Sequence, residues 1–370
     1  MYHKDIHIDK WLTPLSYLYG MAVNFRNFLF DKHIVLHTRR FDIPVICVGN
    51  LAVGGTGKTP HTEYLIRLLH KEFNIAVLSR GYKRHTKDYI LATPHSTAEE
   101  IGDEPFQIMK KFPNIKVAVD SNRCRGIENL MALKNPSIDI ILLDDAFQHR
   151  YVSAGLNILL TSCFRPFYHD KLLPAGRLRE PTTGKDRAQI VIVTKCPDDI
   201  KPIDFNVISK GVNLLPYQKL FFSQLCYGNL YMMFKSDKLK TMQLSELKED
   251  TSVLLVTGIA NPEPLVNKLR ECVEEVFPIH FADHHDFSAE DIRRLNEKFE
   301  RLPQGKRIII TTEKDAARLR SHLEMSEEVK KNLYILPVRI NLLQDKKESF
   351  NQIILDYVRK NQRNNRLSTQ

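Results

Sequence analysis

The sequence predicts an α/β fold built on a parallel sheet with helices on both faces, and three observations carry that expectation. First, short and almost continuously apolar runs alternate with stretches of helical periodicity: "IPVICVGN" (43–50), "NIAVLSRGY" (74–82), "IKVAVD" (115–120), "DIILLDD" (139–145), "LNILLT" (156–161) and "AQIVIVTK" (188–195). Such runs read as strands buried on both faces. Second, a glycine-rich turn, "VGNLAVGGTGKTP" (48–60), lies between the first run and the helical "HTEYLIRLLHKEF". Third, the texture changes after about residue 215, where "YQKLFFSQLCYGNLYMMF" reads as paired strands around Gly228-Asn229, followed by a polar, Lys-rich stretch.

The elements follow in order. Trp11 to Phe30 carries Arg26 as its one charge, with Leu15, Leu18, Tyr19, Ala22, Phe25 and Leu29 at helical spacing, and Thr13-Pro14 marks a helix start. This amphipathic helix either packs on the core or rests in a lipid headgroup layer, where Trp11 and the tyrosines suit the depth and Arg39-Arg40 would meet anionic lipid. The six strand candidates come next, with helices at Glu104 to Phe112 and Arg125 to Leu133. A second α/β unit has strands at "VLLVTGI", "RIIITT" and "LYILPVRI", a helix at "DIRRLNEKFERL", and a frayed polar tail, "NQRNNRLSTQ". The expected organisation is an N-terminal helix region (1–40), a P-loop domain (41–215), a β-strand linker and hinge (216–240), and a smaller second α/β domain (241–370).

The chain has 370 residues, 54 Lys plus Arg against 44 Asp plus Glu, and a formal charge of +10. That balance favours an anionic partner: a phosphorylated metabolite, nucleic acid or an acidic membrane surface. The six cysteines are scattered with no C-x-x-C pair, which argues for a reducing compartment and against a zinc site. Neither a leader peptide nor a run long enough to span a bilayer is expected.

The chemistry concentrates in a few stretches. The glycine turn lacks the usual P-loop glycine at Ala52, yet Gly54, Gly55, Thr56, Gly57, Lys58 and Thr59 form a shifted G-G-x-G-K-T loop. Its backbone can cradle phosphate, with Lys58 on the β/γ-phosphates and Thr59 on Mg²⁺. Asp144 and Asp145 end an apolar strand, where a Walker-B carboxylate would meet that metal, or where one could cap a helix. Gln148 and His149 follow, suited to substrate or metal-bound water. "GDEP" (102–105) sets Asp103 and Glu104 before a helix, as a proton acceptor or as a cap. "FADHHDF" (281–287) pairs histidines with aspartates, and "KLLPAGRLREP" (171–181) has bases that could hold an anion. "TKCPDD" (194–199) faintly resembles a guanine reader, with its spacing off by one.

The ordered set "VGNLAVGGTGKTP", "SRGY", "GDEP", "DDAFQH", "LLPAGRLREP", "GIANP", "FADHH" and "TEKD", across roughly residues 10–320, closely resembles the tetraacyldisaccharide 4'-kinase family, lipid A pathway kinases of Gram-negative bacteria. The resemblance implies transfer of the γ-phosphate of ATP, with Mg²⁺, to the 4'-hydroxyl of a tetraacyl glucosamine disaccharide 1-phosphate. It implies work at the cytoplasmic face of the inner membrane, with the lipid A precursor and the anionic membrane surface as partners, no nucleic acid, and no obligate protein partner. Position by position, it makes Asp103 the base, His284 its companion, Lys58 the catalytic loop cation, and Thr59, Glu104, Asp144 and Asp145 the metal site. Arg80, Arg123, Gln148, His149 and Arg179 fall on nucleotide- or substrate-binding positions. The chain departs from the family pattern at Ala146, Lys83-Arg84 and Arg177, which bears on substrate contact. The resemblance also shifts the first helix toward membrane contact. An alternative is a membrane-associated deviant P-loop NTPase switch with water as acceptor, and a second is a small-molecule kinase or ligase on the same fold.

Overall fold

The computed structural model describes residues 6, 8–82, 84, 86–234, 241–259, 261–283, 285–303, 305–320, 322 and 324–368. It divides into two compact units, Met1–Leu225 with Ile340–Gln370, and Cys226–Arg339.

The strands of the first unit are β1 (Val45–Asn50), β2 (Ile75–Ser79), β3 (Ile90–Leu91), β4 (Lys116–Val119), β5 (Ile140–Asp144), β6 (Leu156–Ser162), β7 (Ile190–Thr194), β8 (Lys219–Tyr227) and, from the far end of the chain, β15 (Val338–Leu342). They form one sheet in the order β15-β8-β7-β6-β1-β5-β2-β4-β3. From β8 through β4 every pairing is parallel, while β3 runs antiparallel to β4 at the edge. The apolar runs are continuous because both faces are covered. Val45, Cys47, Ala76, Leu78, Ile141 and Leu143 enter one core cluster, and Ile46, Val48, Ile75, Val77, Ile140 and Leu142 enter the other. Alternate residues of a strand point to opposite faces, so a polar residue at any of these positions would disrupt a core. Each buried Val, Leu or Ile contributes about 1.5–3 kcal/mol of transfer free energy.

Helices α1 (Thr13–Asp31), α2 (Lys58–Leu69), α3 (Ala98–Ile101), α4 (Asp103–Lys111), α5 (Arg123–Met131) and α6 (Pro202–Val212) belong to this unit. Glu63 of α2 is buried and ties two helices together, accepting from Lys111 Nζ at 2.6 Å and Gln107 Nε2 at 2.8 Å, both on α4. The helix that follows the phosphate loop is thereby fastened to the helix that begins with Asp103.

The second unit has β9 (Leu230–Met232), β10 (Thr241–Met242), β11 (Ser252–Thr257), β12 (Val276–His280), β13 (Arg307–Thr312) and β14 (Leu333–Leu336) in the order β10-β9-β14-β13-β11-β12, with α7 (Glu263–Arg270), α8 (Ala289–Glu300), α9 (Glu313–Leu319) and α10 (Glu327–Asn332). Its fold is again α/β, parallel from β12 to β14.

Three expectations are corrected. The stretch around Gly228-Asn229 is not a hairpin: β8 pairs with β7 of the first sheet, and β9 pairs with β14 and β10 of the second. "LYILPVRI" is two strands rather than one, since Pro337 has no N–H to continue a ladder and β14 and β15 go to different sheets. The chain beyond Arg339 does not stay in the second unit, and the part of the polar tail that the structure describes continues the helix α11 (Lys347–Ser368). Phe350, Ile354 and Val358 of α11 lie in a core cluster of the first unit. Tyr357 Oη there also bridges Val45, donating to its carbonyl at 3.0 Å and accepting from its N–H at 3.2 Å.

Candidate active site

The carboxyl ends of the parallel strands carry the candidate residues. After β1 the chain turns through Gly54 (φ 106°) and Gly57 (φ 86°), left-handed conformations that a side chain would strain, and α2 starts at Lys58. The loop is held from both sides. Asn50 Nδ2 donates to Thr56 Oγ1 at 2.8 Å, and Thr194 Oγ1, at the end of β7, donates to the Thr56 carbonyl at 2.8 Å. His61 grips it from within α2: Nδ1–H donates to the Gly57 carbonyl at 2.7 Å, and Nε2 accepts from the Ser223 hydroxyl at 3.0 Å.

Beside the loop, β5 ends in the acid pair. Asp144 is buried and accepts from Thr62 Oγ1 at 3.1 Å. Burial first, then the Asp145 and Glu104 carboxylates, push its pKa up to about 7 against the pull of Lys58. Asp145 (φ 48°) goes the other way: burial opposes ionisation, but Lys58 and Arg179 outweigh it and lower its pKa. The Lys58 ammonium stands 3.6 Å from Asp145, and Arg179 Nη2 donates to Asp145 at 2.9 Å and also to Asn50 Oδ1. The two adjacent carboxylates are thus shifted in opposite directions, Asp144 by burial and like charge and Asp145 by its two cations.

Asp103 and Glu104 open α4 directly after Gly102 (φ 90°), and Asp103 is buried. Gln148 spends its amide N–H groups on the Asn50 carbonyl at 2.7 Å and Glu180 at 2.9 Å. Its role in these contacts is to hold the strand end against the 171–181 loop. Arg123 is buried at the start of α5, donating to the Asp120 carbonyl at 2.8 Å, and burial with the nearby Arg80 charge lowers its pKa to about 10. Arg80 itself is exposed just after β2.

Several polar atoms here, Gln148 Oε1, His149 Nε2, Arg123 Nε and Arg179 Nε, are buried without a hydrogen-bond partner among the described residues. Orphaned polar groups of this kind mark a place where a polar ligand can complete the network. His284 lies outside the described residues, as does Lys83. Its neighbour His285, in the second unit, stacks on Phe281 and meets Asp291 at 2.9 Å. Among the described residues no group of three or more His, Cys, Asp or Glu side chains is arranged to hold a metal ion.

Burial first, then Arg123 and Arg80, hold His149 neutral with a pKa lowered to about 4. The folded state therefore binds this proton less tightly than the unfolded chain. Its contribution to stability is complete above the unfolded pKa of about 6.5 and is lost as pH falls toward 4, amounting at most to roughly 3 kcal/mol. Nucleotide-free thermal melts between pH 7.5 and 4.5 are expected to fall in that window, with a shallower fall for His149→Gln. Equal slopes for both proteins would remove His149 from the account.

The 171–181 loop is bound to α1. Ser16 Oγ donates to the Leu172 carbonyl at 3.0 Å and accepts from Ala175 N–H at 2.9 Å, and Tyr19 Oη donates to the Arg179 carbonyl at 2.8 Å. A Cβ on Gly20 would come within 2.8 Å of Leu172, so the small face of α1 allows this close approach. Most of its large apolar residues, Phe30 apart, are exposed: Met21 is 60% exposed and Phe25 65%, with Leu15, Tyr17, Leu18 and Phe28 also exposed, and Trp11 just before the helix is 93% exposed.

Missed from the sequence were Glu63, Asn50, Thr194 and Glu180. Thr194 could have been suspected, as it ends a strand beside the loop strand, but the others carry no distinguishing signal.

A glycine loop between a central strand and a helix, a lysine at that helix's first position, and acids at the end of the adjacent strand define a nucleotide-binding α/β phosphotransferase. Residues 8–359 match the family model described as Tetraacyldisaccharide-1-P 4'-kinase. The chain belongs to the tetraacyldisaccharide 4'-kinase family, and it is an enzyme of that kind, a phosphotransferase with an alcohol acceptor. It is 55% identical over 368 residues to a tetraacyldisaccharide 4'-kinase of Bacteroides fragilis, covering 99% of this chain and 98% of the relative. It is 45% identical over 355 residues to one of Flavobacterium psychrophilum, covering 95% and 97%. The fold is similar to that of a crystal structure of the "apo" form of LpxK from Aquifex aeolicus in complex with ATP, with TM-score 0.72, 29% identity, and coverage of 95% of this chain and 99% of that one. Family membership sets aside the nucleotide-switch alternative.

Proposed function

We propose that the glycine loop holds ATP with Mg²⁺ and that the γ-phosphate passes to the 4'-hydroxyl of a tetraacyl glucosamine disaccharide 1-phosphate at the cytoplasmic face of the inner membrane. The observation that carries this reading is the convergence on one loop of Lys58, the Asp144-Asp145 pair and Arg179. Thr59, Glu104, Asp144 and Asp145 would hold the magnesium ion, which prefers one or two carboxylates plus water and phosphate oxygens to a closed protein cage. When bound, it supplies positive charge that offsets the charge gathering on the phosphates. The raised pKa of Asp144 fits such a site, since a cation there would relieve the crowding of carboxylates.

Asp103 takes the proton of the sugar hydroxyl as the oxygen forms its bond to the γ-phosphorus and the bond to ADP breaks. His284 would orient or tune that base. Lys58 and the loop N–H groups bear on the phosphate oxygens, while Arg80, Arg123, Gln148, His149 and Arg179 bind nucleotide or substrate.

The exposed apolar face of α1 supports docking on the membrane where a four-chain acceptor resides. No helix among the described residues is long and apolar enough to cross a bilayer. The excess of basic residues suits anionic lipid and substrate phosphate alike.

The test is label transfer from γ-labelled ATP, with GTP in parallel, to the detergent-dispersed acceptor, with and without a magnesium chelator. Label is expected in the lipid and lost on chelation. Release of free phosphate that ignores added lipid would overturn the acceptor assignment.

A further inference from the structure

The residue after β7, Lys195, is not accounted for by the chemistry above. Its backbone is left-handed (φ 58°), a conformation that glycine or asparagine adopts more readily than lysine. The strand that delivers it is fastened to the glycine loop one residue earlier, through the 2.8 Å bond from Thr194 Oγ1 to the Thr56 carbonyl. The side chain returns over that loop: the Lys195 ammonium lies 3.8 Å from where a Cβ on Gly55 would sit. β7 and β5 lie on opposite sides of β1 in the sheet, so Lys195 approaches the loop from the flank away from Asp144 and Asp145.

Its charge is uncompensated. Lys58 has Asp145 within 3.6 Å, whereas Lys195 has no hydrogen-bond or ion-pair partner among the described residues. Burial first, and then repulsion from Lys58, lower its pKa. Two ammonium groups facing one glycine loop, with an acid beside only one of them, leave a positive excess that an anion on the loop would balance.

We propose that Lys195 is a second cation of the donor site, pairing with the phosphate chain of the bound nucleotide on the flank opposite the acids. This rests on the glycine loop being the nucleotide site and adds a ligand that the loop motif does not contain. Because the contact is to a group present in both donor and product, it contributes to binding of ATP and ADP alike rather than to the transfer step.

The test compares Lys195→Met, which keeps the apolar stem, with Lys195→Arg and Lys58→Met, using titration with ATP, ADP and adenosine and steady-state kinetics on the full chain. Lys195→Met is expected to weaken ATP and ADP by roughly 10- to 100-fold and to raise KM for ATP in proportion. Turnover at saturation should change by less than about threefold, as for loss of uniform binding. Adenosine binding and KM for the lipid acceptor should not move, and Lys195→Arg should recover much of the loss. Without nucleotide, Lys195→Met should melt at or above the wild-type temperature, because it removes an unpaired cation; a merely structural lysine would lower it. Wild-type ADP affinity in Lys195→Met, with a loss in Lys58→Met, would overturn this inference alone. Wild-type affinity in both variants would overturn the loop as the nucleotide site.

Discussion

Asp103→Ala is expected to lower turnover for phosphoryl transfer by about a hundred- to ten-thousand-fold, the range over which a positioned general base acts, while ATP affinity changes little. The carboxylate opens α4 behind Gly102, whose φ of 90° turns the chain sharply into the helix. It is buried, next to Glu104, whose charge reaches Asp144. Its position relative to the glycine loop is set by Glu63, which joins α2 to α4 through Gln107 and Lys111. Single-turnover label transfer separates the chemical step from product release, and a nucleotide titration reads the donor site independently. Near-normal turnover would end the base assignment, and loss of ATP binding would move Asp103 into the donor site.

The second large effect concerns the membrane. Replacing Leu18, Met21 and Phe25 together by Glu is expected to reduce partition onto anionic vesicles by at least a hundredfold. Burying an apolar side chain of this size is worth about 1.5–3 kcal/mol, and even partial burial of three exceeds the 1.4 kcal/mol per factor of ten. All three are exposed, so the substitution should leave the thermal melt nearly unchanged. Flotation with vesicles of mixed anionic and zwitterionic lipid reads the outcome. Wild-type flotation by the variant would assign the apolar face of α1 to some other contact.

Much of the site could be read in the sequence because it is local. The glycines, Lys58 and the acids of β5 are contiguous stretches whose spacing follows from a strand, a turn and a helix. The six buried strands were legible for the same reason, as short, almost continuous apolar runs that need both faces covered. What escaped depends on distant chain segments. Periodicity pointed to Leu15, Leu18, Tyr19, Ala22, Phe25 and Leu29 as the organised face of α1, yet apart from Tyr19, which bonds the Arg179 carbonyl, the side that packs is Ser16, Gly20, Val23 and Phe30, with Gly20 allowing the close approach of Leu172. Polar residues in α11 concealed Phe350, Ile354 and Val358, whose value lies in packing against residues far upstream in the chain, such as Tyr64 and Phe221 on Phe350. Thr194 and Lys195 showed in the sequence only as a strand end and a faint guanine-reader likeness, because the loop they approach is supplied by another strand.

The return of the chain at Ile340 has a consequence for how the molecule is assembled. β8 and β15 are neighbours in the first sheet, with Leu343 N–H on the Phe222 carbonyl at 2.9 Å and Gly228 N–H on the Pro337 carbonyl at 2.8 Å, so they form an antiparallel ribbon. A two-residue turn would ordinarily connect such strands, and here the chain of residues 226–339 runs between them. Leaving a segment of that length unfolded would add about 3 kcal/mol of closure entropy relative to a short turn. A lesion in the Phe299 core would therefore be felt at a distance, as looser docking of β15, of α11 and of the Tyr357 clasp on the strand that begins the phosphate loop. The second unit is thus an insertion in the chain between two strands of the first sheet, and its folding shortens the loop that those strands must close.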